Sequence, residues 1–128
     1  MKNKDKVEAL FAELLENLEE DCGKGTFDQS MKDTPARATK MWGNELLKGY
    51  HMSPSDVIKL FPNTAKNPEE IEVSNIPFYS MCEHHMMPFF GTVSIKYIPG
   101  SHVMGLSKLP RMVEIYARRF QLQERLGQ

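Results

Sequence analysis

The sequence predicts an α+β fold, with helices first and antiparallel strands mixed with helices after them. Three observations predict it. Apolar residues recur at three- and four-residue steps over about residues 4–20 and again after Thr34, the period of a helix with one buried face. The period then drops to two. Ile71 and Val73 stand between Glu70, Glu72 and Ser74, and Val93, Ile95 and Tyr97 alternate with Thr92, Ser94 and Lys96, as half-buried strands do. Finally, 128 residues suffice for one domain with a core. That domain, 1–128, divides into a helical part over 1–66 and a strand-and-helix part over 67–128.

The first helix carries Val7, Leu10, Phe11, Leu14, Leu15 and Leu18 on one stripe, with Glu8, Glu13, Glu16, Glu19 and Glu20 over much of the other side. Such a helix packs on its own domain or on a neighbouring subunit. Cys22-Gly23-Lys24-Gly25 ends it, because glycine tolerates the left-handed exit. Cys22 reads as a small buried residue. Thr34-Pro35 starts the second helix, with threonine as the cap and proline at the first helical position. Ala38, Met41, Trp42 and Leu46 form its apolar face and Gly49 closes it. Ser53-Pro54-Ser55-Asp56 has the form of a capping box for a short third helix through Val57, Ile58, Leu60 and Phe61. Pro62-Asn63-Thr64 and Asn67-Pro68 mark a loop.

The first strand runs from Ile71 past Ile76 into Phe78-Tyr79-Ser80, with Pro77 assigning part of it to an edge. The second strand, around Val93 to Tyr97, is antiparallel to it by the economy of a short connection. Pro99-Gly100-Ser101 is a turn and His102 to Gly105 a brief extended piece. Ser107 caps a fourth helix with Leu109, Met112, Val113, Tyr116 and Phe120 facing inward. Gln121 to Gln128 forms the first turns of a fifth helix, too short to be stable alone.

Composition narrows the function classes. Hydrophobic residues at 41% and charged residues at 26% are ordinary for a globular protein. A net charge of −1 gives no global field to recruit nucleic acid or a membrane. The basic residues Lys108, Arg111, Arg118, Arg119 and Arg125 share one segment, but helical spacing scatters them over different faces. Two cysteines in unrelated settings fit a reducing compartment. The N-terminus is charged and amphipathic, without an apolar signal core, and no apolar run approaches membrane-spanning length. The expectation is a cytoplasmic protein with neither a nucleic-acid nor a membrane partner.

Between the two strands lies Met81-Cys82-Glu83-His84-His85-Met86-Met87-Pro88, with one of the two cysteines and two of the four histidines. Cys82 and His85 have the C-x-x-H spacing with which one short loop grips one Zn²⁺. Glu83 and His84 are potential proton carriers. The alternative is a polar surface hairpin, since a two-ligand motif is a weak signal by itself.

Three pieces taken together go further. They are Thr34-Pro35-Ala36-Arg37-Ala38-Thr39-Lys40-Met41, then Cys82-Glu83-His84-His85, then Gly105-Leu106-Ser107-Lys108-Leu109-Pro110-Arg111 with Gln123-Glu124-Arg125-Leu126. In order and spacing this set resembles the GTP cyclohydrolase I family, over nearly the whole chain from about Thr34; the first helix matches only in character. The resemblance implies a tunnelling fold, in which antiparallel strands and helices of several subunits close a barrel. It implies a homo-oligomer, usually a decamer, with sites at subunit interfaces. The implied reaction is zinc-dependent conversion of GTP to 7,8-dihydroneopterin triphosphate and formate, which opens folate and pterin biosynthesis. Carried over by motif, Cys82 and His85 are zinc ligands and His84 the acid–base histidine, with Glu83 beside it. Ser107, Lys108 and Arg111 contact the triphosphate. Gln123 and Glu124 anchor the guanine edge, with the Leu106 and Leu122 backbones nearby.

Elementary chemistry suits these roles. Zinc with an open position lowers the pKa of water to about 7. A histidine next to it can protonate guanine N7 near neutral pH. A carboxylate opposite N1–H and the exocyclic amine makes two charge-assisted bonds that adenine cannot match. Serine and lysine at a helix start, with arginine a turn later, suit a triphosphate. Each residue also has a plain alternative: Ser107 as a cap only, Arg111 as a solvated helix residue, Glu124 as a surface carboxylate. The family pattern also contains a later segment with a second cysteine ligand, another active-site histidine and another phosphate arginine. These 128 residues do not include it, and Cys22, His51 and His102 have no context that recommends them instead. The chain is therefore expected to be either a fragment of a longer product or a natural half protein, whose open strand edges would invite association. The competing expectation to an enzyme is an inactive homologue that assembles with a complete subunit. A structural zinc module is a third reading, but closed structural sites need four ligands.

Overall fold

The switch from helical to alternating period is realised in a computed structural model that describes residues 1–64 and 69–128. The fold is α+β. The chain forms two compact units, Met1–Glu45 and Leu46–Gln128.

In the first unit, helix α1 spans Lys4–Cys22. It ends where Gly23 takes φ +117° and donates its N–H to Glu19 O at 2.8 Å. The Glu19 carboxylate then accepts the amides of Gly25 and Phe27 at 3.0 and 3.1 Å, which fixes the exit loop. Phe11 meets Trp42 with ring centroids 5.9 Å apart, yet Leu10, Leu14 and Leu18 stay exposed. Cys22, expected to be buried, is exposed, because it is the last residue of α1 and borders the glycine exit. Helix α2 spans Thr34–Met41, with Pro35 in its first turn as expected. The cap position belongs to Asp33, so Thr34 lies inside the helix rather than before it. A π-helical turn over Trp42–Leu46 follows, so one regular helix does not run to Gly49.

In the second unit, a 3₁₀ turn covers Lys48–His51 and another Pro54–Asp56. The capping box is present, with Ser53 N–H donating to Asp56 Oδ2 at 2.9 Å. The expected third helix nevertheless stops there. Leu60 and Phe61 belong instead to strand β1, Leu60–Pro62, which pairs antiparallel with β4, His102–Met104. The reason is local: a residue before proline is driven out of the helical region, and Phe61 precedes Pro62. The expected loop residues Asn67-Pro68 lie outside the described residues.

The main sheet has the order β3-β2-β5. Strands β2, Ile71–Cys82, and β3, Pro88–Tyr97, are antiparallel from Ile71↔Tyr97 to Met81↔Pro88. The register shifts between Val73 and Ile76, where Asn75 takes φ +57°. A bulge with asparagine in the left-handed region is the economical way to insert that residue. It resets the alternation so that Ile76, Phe78 and Ser80 are buried. Strand β5, Phe120–Gln121, pairs parallel with β2 only at Met81 and Cys82. At Pro77, β2 therefore has one neighbour among the described residues, and the missing N–H costs nothing.

Helix α3, Lys108–Ala117, packs Val113 and Ala117 against Ile76 and Phe78 of β2. Leu109 and Val113 are buried as expected, but Tyr116 is not, and Phe120 lies in β5 rather than on a helix. Ile115 is fully buried instead. The 3₁₀ turn accounts for this: Gly49 N–H donates to Arg118 O at 2.9 Å, and a Cβ on Gly49 would lie 2.1 Å from Ile115 O. That turn covers the side of α3 on which Ile115 sits. The expected fifth helix is reduced to one turn, α4, Gln123–Leu126, because Gln121 is in β5. Among the described residues, no helix is long and apolar enough to cross a membrane.

Candidate metal loop and nucleotide anchor

The loop between β2 and β3 is closed by its own backbone. Cys82 N–H donates to Met87 O at 2.7 Å, and Met86 N–H donates to Cys82 O at 2.8 Å. Met86 takes φ +57° to complete the turn. A chain closed over five residues brings Cys82 and His85 to one side. Cys82 Sγ and His85 Nδ1 lie 4.0 Å apart. Zn–S of about 2.3 Å and Zn–N of about 2.0–2.1 Å at a tetrahedral angle separate two donors by about 3.6 Å. A side-chain adjustment of a few tenths of an ångström would let both reach one ion. The two residues fit as two corners of a zinc site. Among the described residues no group of three His, Cys, Asp or Glu completes it, and neither Cys22, His51 nor His102 joins the pair.

His84 and His85 are exposed, with their rings edge to face at 6.4 Å between centroids. Glu83 is engaged differently from the expected proton carrier. Arg125 grips it in a bidentate pair, Nη1 to Oε2 at 2.6 Å and Nη2 to Oε1 at 3.1 Å. Those hydrogen bonds hold the Glu83 carboxyl below the usual carboxylate range and push the Arg125 guanidinium up. An ionised, doubly occupied carboxylate is a poor proton carrier near neutral pH.

The partner of this loop in space is β5. Cys82 pairs with Gln121, and Glu83 N–H donates to Gln121 O at 3.2 Å. Arg119 O accepts Met81 N–H at 3.3 Å and Ser80 Oγ at 3.4 Å. Phe120 N–H donates to Tyr50 Oη at 3.0 Å. Leu122 caps α4, so the exposed Gln123 and Glu124 begin two residues beyond the metal loop's flanking strand. The loop and the proposed guanine anchor are thus brought side by side.

Ser107, Lys108 and Arg111 gather elsewhere, at the start of α3. Ser107 makes no side-chain capping bond, so its hydroxyl is not spent as a cap. Lys108 N–H closes the turn to Gly105 O at 3.0 Å. α3 has 10 residues, and a helix that long spans about 15 Å. Ser107 and Lys108 therefore stand about a helix length from the end of α3 that meets β5, and Arg111 one turn nearer to it. Arg118 and Arg119 are used locally. Arg118 Nε donates to Glu114 Oε1 at 3.0 Å and the guanidinium lies over Tyr79, while Arg119 stacks on Tyr50 and Tyr116.

Sequence reasoning quoted Arg125 within its motif but gave it no role. The available signal was an acidic residue inside one motif and a basic residue inside another, a pairing that becomes specific only when the β2–β5 register is known.

Comparison with known proteins decides the family. The sequence model described as GTP cyclohydrolase I matches residues 7–128. The chain belongs to the GTP cyclohydrolase I family. The match extends into α1, beyond the Thr34 boundary drawn from motifs. The chain is 42% identical over 114 residues to the GTP cyclohydrolase 1 of Wolinella succinogenes, covering 89% of this chain and 60% of that protein. It is 43% identical over 116 residues to that of Nitrosospira multiformis, covering 90% and 58%. With that of Acetivibrio thermocellus it shares 43% over 129 residues, covering 99% and 65%. The chain thus spans about 60% of the length of the first of these curated relatives. As in the GTP cyclohydrolase I family, the fold is of the tunnelling type, present here in part.

Proposed function

We propose that this chain carries the metal loop and guanine anchor of a zinc-dependent GTP cyclohydrolase I, which converts GTP to 7,8-dihydroneopterin triphosphate and formate at the start of folate and pterin biosynthesis. The observation that supports this reading is the β2–β5 pairing, which sets the Cys82–His85 loop beside Gln123 and Glu124. Cys82 and His85 would hold zinc, with further donors from outside the described residues. Bound zinc would supply water acidified toward neutral pH. His84, exposed next to the ligand pair, would carry a proton to N7 of the purine. Glu124 would accept hydrogen bonds from N1–H and the 2-amino group, and Gln123 would satisfy the neighbouring edge. Ser107, Lys108 and Arg111 would bind the triphosphate, from the same copy or from a neighbouring one. The assembly would be a homo-oligomer, and the cytoplasm its place of work.

The test is direct. GTP incubated with the assembled, zinc-loaded protein should yield fluorescent neopterin after oxidation and dephosphorylation. No product at verified zinc occupancy would overturn the assignment. The alternative reading is an inactive homologue that assembles with a complete subunit. Co-purification with a full-length cyclohydrolase and no turnover without it would support that reading; independent activity would exclude it.

A further inference from the structure

We infer that Glu83 and Arg125 are positioning residues, a bidentate clamp that fixes the metal loop at a set distance from the nucleobase anchor. The inference rests on the proposed function for its chemistry and on the fold for its geometry. Glu83 lies between the ligand Cys82 and the proton carrier His84. Arg125 follows Glu124 directly. Two threads cross the gap between them: the parallel backbone pair Cys82↔Gln121, which includes the Glu83 N–H bond to Gln121 O at 3.2 Å, and the two-bond ion pair at 2.6 and 3.1 Å.

The first thread holds backbone to backbone at the end of β5, which is two residues long. Beyond Gln121 the strand is finished, and α4 is a single turn with exposed Gln123 and Glu124. Without a further restraint, such a short turn would pivot about its junction with β5. The ion pair supplies that restraint on the far side of the anchor. A guanidinium facing a carboxylate with two parallel bonds fixes angle as well as distance, which a lysine could not do. Because the pair is half-exposed, its effect on overall stability is small. Its effect on register is large, since reacting groups displaced by about 1 Å lose up to about a hundredfold in rate.

The experiment compares Glu83→Gln, Arg125→Gln and the charge-exchanged double variant Glu83→Arg/Arg125→Glu in the assembled, zinc-loaded protein. Each single variant should keep its zinc and lose about tenfold to a hundredfold in kcat per zinc site, with KM for GTP changed by less than about threefold. The exchanged pair should recover at least about tenfold of that loss, because coupled partners are non-additive. A merely structural pair would lower the melting temperature and the folded fraction without moving kcat per zinc site. Unchanged kcat in the single variants, or an exchanged pair no better than either, would overturn the inference. If the unaltered protein makes no product from GTP, the proposed function fails, and the clamp is read by amide exchange instead. Faster exchange at the Glu83 and Leu126 amides in the single variants, restored in the exchanged pair, supports it; equal exchange in all four proteins overturns it.

Discussion

At the scale of single residues, the loop separates groups that sequence proximity runs together. Cys82 and His85 face each other across 4.0 Å, while the His84 ring stands edge to face with that of His85, at 83°. Cys82→Ser should therefore remove zinc and turnover together, measured by metal analysis and product fluorescence. His84→Ala should keep zinc and lower kcat by about a hundredfold to ten-thousandfold, the usual worth of a proton-transfer group. Equal zinc loss in both would show the two histidines to be exchanged in role. Glu124→Gln should weaken GTP binding by about tenfold or more, as loss of a charge-assisted bond requires, and calorimetry with GTP reads it directly. These residues were legible because their types are chemically rare and closely spaced. The ion pair of Glu83 was not legible, because its partner Arg125 stands 42 residues later.

At the scale of elements, α3 owes its orientation to the 3₁₀ turn pressed against its end. Gly49→Ala would force a methyl group to within 2.1 Å of the Ile115 carbonyl, and neither backbone can yield cheaply. That overpacking should cost about 1–3 kcal/mol or more, visible as a lower denaturation midpoint. The same turn sends Lys48 to Glu114, with Nζ to Oε1 at 3.0 Å, and Arg118 reaches that carboxylate at 3.0 Å from within α3. Burial pushes the Glu114 carboxyl up, but the Lys48 and Arg118 hydrogen bonds outweigh it and hold it low. A carboxyl whose folded pKa is depressed contributes stability above its unfolded pKa and loses it as pH falls through the folded one. Stability measured by denaturant should thus decline on acidification through the carboxylate range, and Glu114→Gln should flatten that decline. Sequence period found α1, α2, β2, β3 and α3 because each is long enough to repeat. It missed β1 and β5, of 3 and 2 residues, since a strand that short has no period. It also misplaced the inward face of α3, where Ile115 rather than Tyr116 is buried, because the covering turn comes from a distant part of the chain.

At the scale of the molecule, much apolar surface lacks cover from the described residues. Phe90 on β3 is 78% exposed and meets Tyr79 across the strand pair, at 6.1 Å between ring centroids. Among the described residues β3 is also the outer strand of its sheet. A ten-residue open edge with an exposed aromatic is a template for another copy. Phe90→Asp should shift the sedimentation profile toward smaller species while circular dichroism stays unchanged. The family and the α+β class were readable from motifs and period together. The juxtaposition of loop and anchor was not, because it depends on a parallel register that no local pattern announces. That register also has a consequence in time. The thiol of Cys82 emerges from the ribosome 42 residues or so ahead of the arginine that braces its loop, an interval of about 2–8 s at about 5–20 residues per second. Throughout that interval the loop has its own hairpin hydrogen bonds to shape it, Cys82 N–H to Met87 O and Met86 N–H to Cys82 O, and not yet the pairing with β5.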